Sequence, residues 1–315
     1  MTTPNFLTVT LNPTLDISTS VAQLQDQVKL RCSAEQEQVG GGGINVAHVI
    51  DSLGGHCQAM LPIGGNRGAE IVDKLRETGL SCVTMPIGQA NRQCFTVYES
   101  GTGREYRFVL PGPTLSAQEQ NACIQTILAN LPRQYLILSG SLPQGVENDF
   151  YARVIHAVRK HQPALPIVVD TSGAALATAL EAGVFLFKPS QEEFFELTGH
   201  QPTAPEGCVA PCRELIGRAK AQLIALTLGP RGSLIVSATQ AWRIDPLAVK
   251  VTSTVGAGDS FVGGLIWALG QSQNLENAAR VATAAACAAL QTQGALTFDP
   301  KEIMSQSQQV VVSPL

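Results

Sequence analysis

The sequence predicts an α/β fold in which a mostly parallel sheet is covered by helices on both faces. Three observations carry this. Between residues 116 and 228 short apolar strands alternate with helical patterns, the order expected of strand–helix–strand units. The strands are apolar along their whole length, as strands buried on both faces are. With 315 residues the chain is long enough to bury a large core.

Phe6-Leu7-Thr8-Val9-Thr10-Leu11 reads as a strand stopped by Asn12-Pro13. Residues 27–39 mix polar and apolar types and fit an exposed strand. Gly40 to Gly43 opens a helix with apolar positions Ile44, Ala47, Ile50 and Leu53, which stops at Gly54-Gly55. Residues 57–63 fit a strand and 68–78 a helix. Gln93–Glu99 and Glu105–Leu110 form a hairpin through Gly101-Thr102-Gly103. The alternating part follows: helix 116–130, strand Tyr135–Leu138, helix 148–161, strand Ile167–Val169, helix 174–182 and strand Val184–Phe187. Helices 191–198 and 211–219, strand Leu223–Leu228 and hairpin 233–244 complete it. Residues 278–290 are Ala-rich and read as a buried helix. No linker or repeat interrupts the chain. The expectation is one domain over 1–315, with a small β excursion from about 14–38 and 91–111.

A net charge of −4 and a pI near 5.8 give no field for nucleic acid or membrane. Only Cys208 and Cys212 of the eight cysteines are close in sequence, and no His pair stands at zinc-ligand spacing from them. All eight are expected as reduced, mostly buried thiols of a cytoplasmic protein. The start of the chain has no basic stretch followed by an apolar run, so no signal peptide is expected.

The most informative stretch is Ser253 to Ile266. Gly256-Ala257-Gly258 leads straight into an apolar helix with Asp259 at its mouth. The first N–H groups of a helix have no intrahelical partner, so such a turn can receive an anion. Asp259 beside a bound phosphate could take a proton from an attacking hydroxyl. The plain structural alternative is an N-cap. The run Gly40 to Gly43 fails the dinucleotide fingerprint G-x-G-x-x-G, because Asn45 stands at the last glycine. This disfavours a dinucleotide-dependent oxidoreductase. Backbone N–H groups of that run, with Asn45 as donor and acceptor, suit a hydroxylated ligand.

Gly41-Gly42-Gly43-Ile44-Asn45 with Gly54-Gly55, and the Ser253–Ile266 stretch roughly two hundred residues on, resemble the two signatures of the ribokinase/PfkB family of carbohydrate kinases. The likeness runs over essentially the whole chain. Within the family the chain is most similar to the type-2 (minor) 6-phosphofructokinases. The strings that carry this are Lys29-Leu30-Arg31-Cys32, Gly40–Ala47, Arg92-Gln93, Tyr106–Val109, Ser139-Gly140-Ser141-Leu142-Pro143, Lys188-Pro189 and Leu228-Gly229-Pro230. In 1-phosphofructokinases and tagatose-6-phosphate kinases a Lys usually stands at the position of Gly42. Leu11-Asn12-Pro13, by contrast, resembles the 1-phosphofructokinase start.

The resemblance implies a ribokinase-like three-layer αβα sandwich with a β lid over the sugar, the lid pairing with that of a second subunit in a homodimer. It also implies roles. Asp259 corresponds to the catalytic base, and Gly256, Ala257 and Gly258 to the anion hole. Asp16, Gly41, Gly42, Gly43 and Asn45 correspond to the sugar site. Arg92 and Ser139 correspond to the surroundings of the sugar's existing phosphate, with Lys29 and Arg107 as helpers. Lys188, Ser190, Thr227, Gly229 and Gly232 fall on the ATP side. Glu193 corresponds to the residue holding Mg²⁺ through water, although Ser190 stands where the family has Asn. Backbone around Ser253, Val255 and Gly294 corresponds to a monovalent-cation (K⁺) site. The implied reaction is ATP-dependent phosphorylation of fructose 6-phosphate at C1, as in glycolysis. The alternatives are a 1-phosphofructokinase, a tagatose-6-phosphate kinase, or a catalytically silent sugar-phosphate-binding regulator. The regulator would be marked by loss of Asp259 or of the glycine turn, and both are present.

Overall fold

The computed structural model describes residues 3–200, 202, 204–292 and 298–315. The chain enters through β1 (Phe6–Val9), β2 (Thr14–Val21) and β3 (Gln36–Gly40), then α1 (Gly42–Ser52), β4 (Cys57–Ile63), α2 (Gly65–Glu77) and β5 (Cys82–Pro86). β6 (Arg92–Glu99) and β7 (Arg104–Phe108) form the expected hairpin. Strands and helices then alternate through α3 (Ala117–Ala129), β8 (Tyr135–Ser139), α4 (Phe150–His161), β9 (Ile167–Asp170), α5 (Gly173–Glu181) and β10 (Val184–Phe187). α6 (Gln191–Thr198), α7 (Val209–Gly217), β11 (Ala221–Thr227), β12 (Ser233–Ser237) and β13 (Ala241–Ile244) follow. α8 (Ala257–Gly270), α9 (Leu275–Gln291), α10 (Pro300–Ser307) and β14 (Val312–Pro314) close the chain.

Ten strands form one sheet in the order β14-β13-β12-β11-β10-β9-β8-β1-β4-β5. From β11 to β5 all neighbours are parallel, and β12 to β14 extend the sheet antiparallel. Two-residue periodicity divides the core between the faces. Phe6, Ile137, Val168, Leu186 and Ala225 join the helices α1, α2, α8, α9 and α10. Leu7, Leu136, Leu138, Val169 and Phe187 join α3 to α7. This is the three-layer αβα sandwich expected. Small residues allow α8 and α9 to approach: a Cβ on Gly264 would lie 3.0 Å from the Ala285 Cβ. α3 opens with a capping box, in which Ser116 N donates to Glu119 Oε2 at 2.7 Å.

The second sheet, in the order β3-β2-β6-β7, is the small β excursion expected as a lid. Its register puts Asp16 beside Cys94 and Thr96 beside Arg107 on the face turned to the cleft. Asn91, fully buried, clamps the lid to the body at the start of β6. Its side chain accepts from Gly64 N at 2.8 Å and donates to Pro62 O at 3.0 Å, and its own N–H donates to Gly64 O at 3.0 Å. Lys74 of α2 pairs with Glu37 of β3 at 2.9 Å.

The single exposed strand expected over 27–39 is a strand only from Gln36. Residues 22–35 are irregular and are held along β2 by Ser33, whose N–H donates to Ser20 O at 2.9 Å and whose Oγ accepts from Ser20 N at 3.0 Å. All eight cysteines are free thiols; Cys32 is exposed, Cys82 intermediate and the other six buried. Among the described residues no helix is long and apolar enough to cross a membrane.

Candidate active site

A cleft of about 290 Å³ is lined by the inner face of the lid, the start of α1 and residues 254–259, and Gly42 brings its floor against Ser139 at the carboxyl ends of the central strands. Open parallel sheets place ligands at these ends. Here Ser139 ends β8, Asp170 ends β9, Lys188 follows β10 and Thr227 ends β11.

Two helices begin at the cleft floor, and neither has a side-chain cap. Gly41 precedes α1 and Gly256 precedes α8. Gly256 has φ 74°, a left-handed turn that glycine adopts without steric cost. The helices lie side by side, with Gly263 against Val49 and Val46 O. Their free N–H groups and the positive ends of their dipoles are therefore brought to one region. Gly256, Ala257, Gly258, Gly42 and Gly43 supply this backbone.

Asp259 stands in the first turn of α8. Its Oδ2 accepts from Asn45 Nδ2 of α1 at 2.8 Å. Oδ1 is turned to the cleft: a Cβ on Gly42 would lie 3.2 Å from it and would collide with Ser139 Oγ. That contact explains why a residue without a side chain stands at position 42. Ser139 Oγ is buried and has no hydrogen-bond partner among the described residues. Burial raises the Asp259 pKa above the ordinary carboxylate value, while the Asn45 amide and Lys188 hold it back.

The lid supplies the opposite wall. Asp16, Arg92 and Arg107 line it. Burial raises the Asp16 pKa, against the pull of Thr14, Arg107 and Arg92. Arg92 is half-buried; its Nη2 donates to Asn12 O at 3.2 Å and its Nε has no partner among the described residues. Lys29 stands exposed on the 22–35 segment and does not line this cleft.

On the far side of Asp259, Lys188 is buried and its Nζ lies 3.2 Å from Asp170 Oδ1. It also abuts the first turn of α8, 3.4 Å from where a Cβ on Gly258 would be. Burial works against the ammonium charge, but Asp170, Glu193 and Asp259 outweigh it and raise the Lys188 pKa. Burial raises Asp170 to about 6; Lys188 restrains the rise and Asp259 adds to it. Sequence places Asp170 at a strand end where ligands of such sheets sit, with no role assigned to it. The signal for it was a carboxylate ending an apolar strand.

Ser190 and Glu193 form the capping box of α6: Ser190 N donates to Glu193 Oε2 at 2.7 Å, and Glu193 N to Ser190 Oγ at 3.2 Å. One carboxylate oxygen of Glu193 thus remains for a water. Among the described residues no cluster of three His, Cys, Asp or Glu side chains could bind a metal directly. A water-mediated Mg²⁺ site fits this donor set. Thr227 N donates to Pro189 O at 3.0 Å, tying the Lys188 turn to the loop that carries Gly229 and Gly232. Ser253 Oγ accepts from Val255 N at 3.2 Å, and Ser253 N donates to Leu290 O at 3.2 Å. Gly294 lies outside the described residues.

Comparison with known proteins shows the family. The chain is 37% identical over 288 residues to ATP-dependent 6-phosphofructokinase isozyme 2 of Escherichia coli, covering 91% of this chain and 93% of that one. It is 37% identical over 292 residues to the isozyme 2 of Mycobacterium tuberculosis (92% and 85% covered). It is 30% identical over 319 residues to 1-phosphofructokinase of Vibrio cholerae (99% and 98%). Three solved structures of phosphofructokinase-2 from E. coli match at 34% identity over 97% of this chain and 99% of theirs. They are a potassium complex with TM-score 0.91, a fructose-6-phosphate complex with 0.90, and a tetrameric inhibited form with 0.89. The model of the pfkB family of carbohydrate kinases matches residues 10–302, and the chain belongs to that family.

Proposed function

We propose that the chain is a 6-phosphofructokinase: it transfers the terminal phosphoryl group of ATP to the C1 hydroxyl of fructose 6-phosphate, as one kinase unit with the β3-β2-β6-β7 sheet as its lid. The observation that carries this is the cleft itself. A carboxylate at the open start of α8 faces two lid arginines across a sugar-sized space. Similarity to two enzymes named ATP-dependent 6-phosphofructokinase isozyme 2 supports the choice of substrate.

In this mechanism Asn45 holds Asp259 Oδ2, so that Oδ1 takes the proton from the C1 hydroxyl. Free N–H groups of α8 and α1, with Lys188, face the charge on the moving phosphoryl, so positioning and electrostatics supply most of the rate. Arg92 and Arg107 hold the phosphate already on the sugar, Ser139 donates to it, and Asp16 accepts from the sugar hydroxyls. The loop of Thr227, Gly229 and Gly232 receives the nucleotide. Glu193 and Ser190 would hold Mg²⁺ through water, and bound Mg²⁺ supplies neutralisation of phosphate charge. Backbone at Ser253 and Val255 would hold K⁺, a reading supported by the potassium complex of the E. coli enzyme. The chain acts in the cytoplasm, in line with its eight free thiols, and in glycolysis.

We further propose a homodimer through the lid, whose Phe95, Phe108, Val109 and Leu110 are exposed. A second reading, 1-phosphofructokinase, is favoured by the full-length match to the Vibrio protein and by Asn12-Pro13. ADP release by the purified protein over fructose 6-phosphate, fructose 1-phosphate, tagatose 6-phosphate and fructose decides. The highest kcat/KM belongs to fructose 6-phosphate. A higher value with another sugar overturns the assignment.

A further inference from the structure

We propose that Asn12 is a positioning residue that sets the phosphate-binding Arg92 in register; this rests on reading Arg92 as the ligand of the sugar's existing phosphate. Asn12 lies where the chain leaves the body for the lid, beyond the last β1 hydrogen bond, Thr10 N to Met60 O at 3.0 Å. It is nonetheless buried. Three contacts meet on it. Its backbone oxygen accepts from Arg92 Nη2 at 3.2 Å, and its Nδ2 donates to Ser141 Oγ at 3.3 Å, in the loop that begins with Ser139. On the segment returning from β7, Gly112 packs so closely on Asn12 Oδ1 that a Cβ there would collide with it.

Arg92 itself spans both lid connections, because its Nη1 reaches Leu110 O of that same returning segment at 3.5 Å. Its backbone is fixed by the Asn91 clamp, so the freedom left to it is in the side chain. A long arginine side chain adopts many rotamers, and the Asn12 carbonyl selects one that leaves Nε, in the wall of the cleft, without a partner among the described residues. The Asn12 turn has no strand partner. The bond from its amide to Ser141 is what keeps that carbonyl in place. Asn12 therefore joins the two structures that meet a sugar phosphate, the lid arginine and the Ser139 loop.

The test removes that bond from its exposed side. Ser141→Ala raises KM for fructose 6-phosphate roughly fivefold to tenfold, the value of one lost hydrogen bond. kcat and KM for ATP stay near wild type. Asn12→Ala does the same, and the double variant loses no more than the larger single, because one bond is removed in each. Ser141→Thr, which keeps the hydroxyl, restores KM. Neither substitution changes kcat/KM for unphosphorylated fructose or adds to the loss in an Arg92→Ala background. The thermal stabilisation conferred by fructose 6-phosphate shrinks in parallel, a readout independent of turnover. Wild-type KM in Ser141→Ala, an equal loss on fructose, or additivity with Arg92→Ala overturns the inference. If the wild type prefers another phosphosugar, the functional reading fails, and the same variants are measured with that sugar. If no phosphosugar stabilises the wild type, the inference falls as well.

Discussion

Lys188→Met keeps the reach of the side chain and deletes its charge. In the folded protein this ammonium is buried, 3.2 Å from Asp170 Oδ1, and the Lys188 pKa is raised by Asp170, Glu193 and Asp259 in spite of burial. It also restrains Asp170, which burial and Asp259 otherwise push upward, to about 6. Without the ammonium both Asp170 and Asp259 titrate at higher pH than in the wild type. The sign follows from linkage. An acid whose folded pKa lies above its unfolded value, here 3.8 for Asp170, loses stability as pH rises through the folded pKa. At pH 5 the variant's Asp170 is neutral and the deletion is cheap. At pH 8 it is a buried charge without a partner, which costs about 3–5 kcal/mol. At about 2 °C per kcal/mol for a chain of this size, Tm falls by about 6–10 °C at pH 8. Thermal unfolding of both proteins at intervals from pH 5 to pH 8.5 measures the difference. The gap between them should widen steadily with pH. A gap that stays constant over this range would mean that Lys188 does not hold the two carboxylates ionised. Turnover falls in the same variant by roughly 10²–10³-fold, as for a lost donor to transferring charge.

Other substitutions separate the remaining roles. Asp259→Asn keeps the shape of the side chain and lowers kcat by roughly 10²–10⁴-fold with substrate Kd little changed; near-normal turnover would remove Asp259 from the chemistry. Arg92→Ala raises KM for the phosphosugar by roughly one to two orders of magnitude, since a charge-assisted bond is worth about 1.5–3 kcal/mol, and leaves KM for ATP in place. Equal changes in both constants would separate Arg92 from the sugar phosphate. Gly42→Ala drives a methyl into Ser139 Oγ and toward Asp259 Oδ1, so sugar binding measured by calorimetry should fail while nucleotide binding persists. Retained sugar affinity would show that the floor of the cleft yields. Ser190→Asn shifts the dependence of activity on free Mg²⁺, and Glu193→Ala lowers activity at limiting Mg²⁺ with partial recovery at high Mg²⁺. Three superimposable titrations would leave this segment as a helix start alone.

The central sheet was legible because its signal is local. Strands β4 and β10 and helix α6 fall on the expected residues, since each is an apolar run or a capped amphipathic stretch bounded by turn residues. β2 is expected only as part of the 14–38 β excursion and not as a strand of its own, although Leu15, Ile17, Thr19 and Val21 alternate with Thr14, Asp16, Ser18 and Ser20. Its polar face resembles a loop because Thr14 and Asp16 line the cleft and Ser20 bonds Ser33, none of them entering the core. β5, β14 and α10 are short or sit at edges, where composition is mixed and pattern is weak. Residues 27–35 carry strand-like composition, yet Ser33 bonds them to β2 without ladder geometry.

The site divides in the same way. Glycine turns at helix starts are visible as sequence, so Gly41 to Gly43 and Gly256 to Gly258 could be found. What they do depends on contacts across the fold: Asn45 reaches Asp259 over 214 positions, and Asn12 reaches Ser141 over 129. No periodicity encodes such pairs. The polar residues without a role read from sequence, Asp170, Asn91 and Asn12, share one property that sequence hides, which is a side chain largely withdrawn from solvent. A buried polar side chain must find a partner or cost stability. Asp170 finds Lys188, and Asn91 finds the backbone at Gly64 and Pro62. Asn12 finds Ser141. Each of these pairings fixes a group close to the cleft: the ammonium at the mouth of α8, the root of the lid strand, and the carbonyl that aims Arg92. The groups proposed to touch substrate were therefore largely visible as motifs, and the groups that aim them were visible only once the chain was folded.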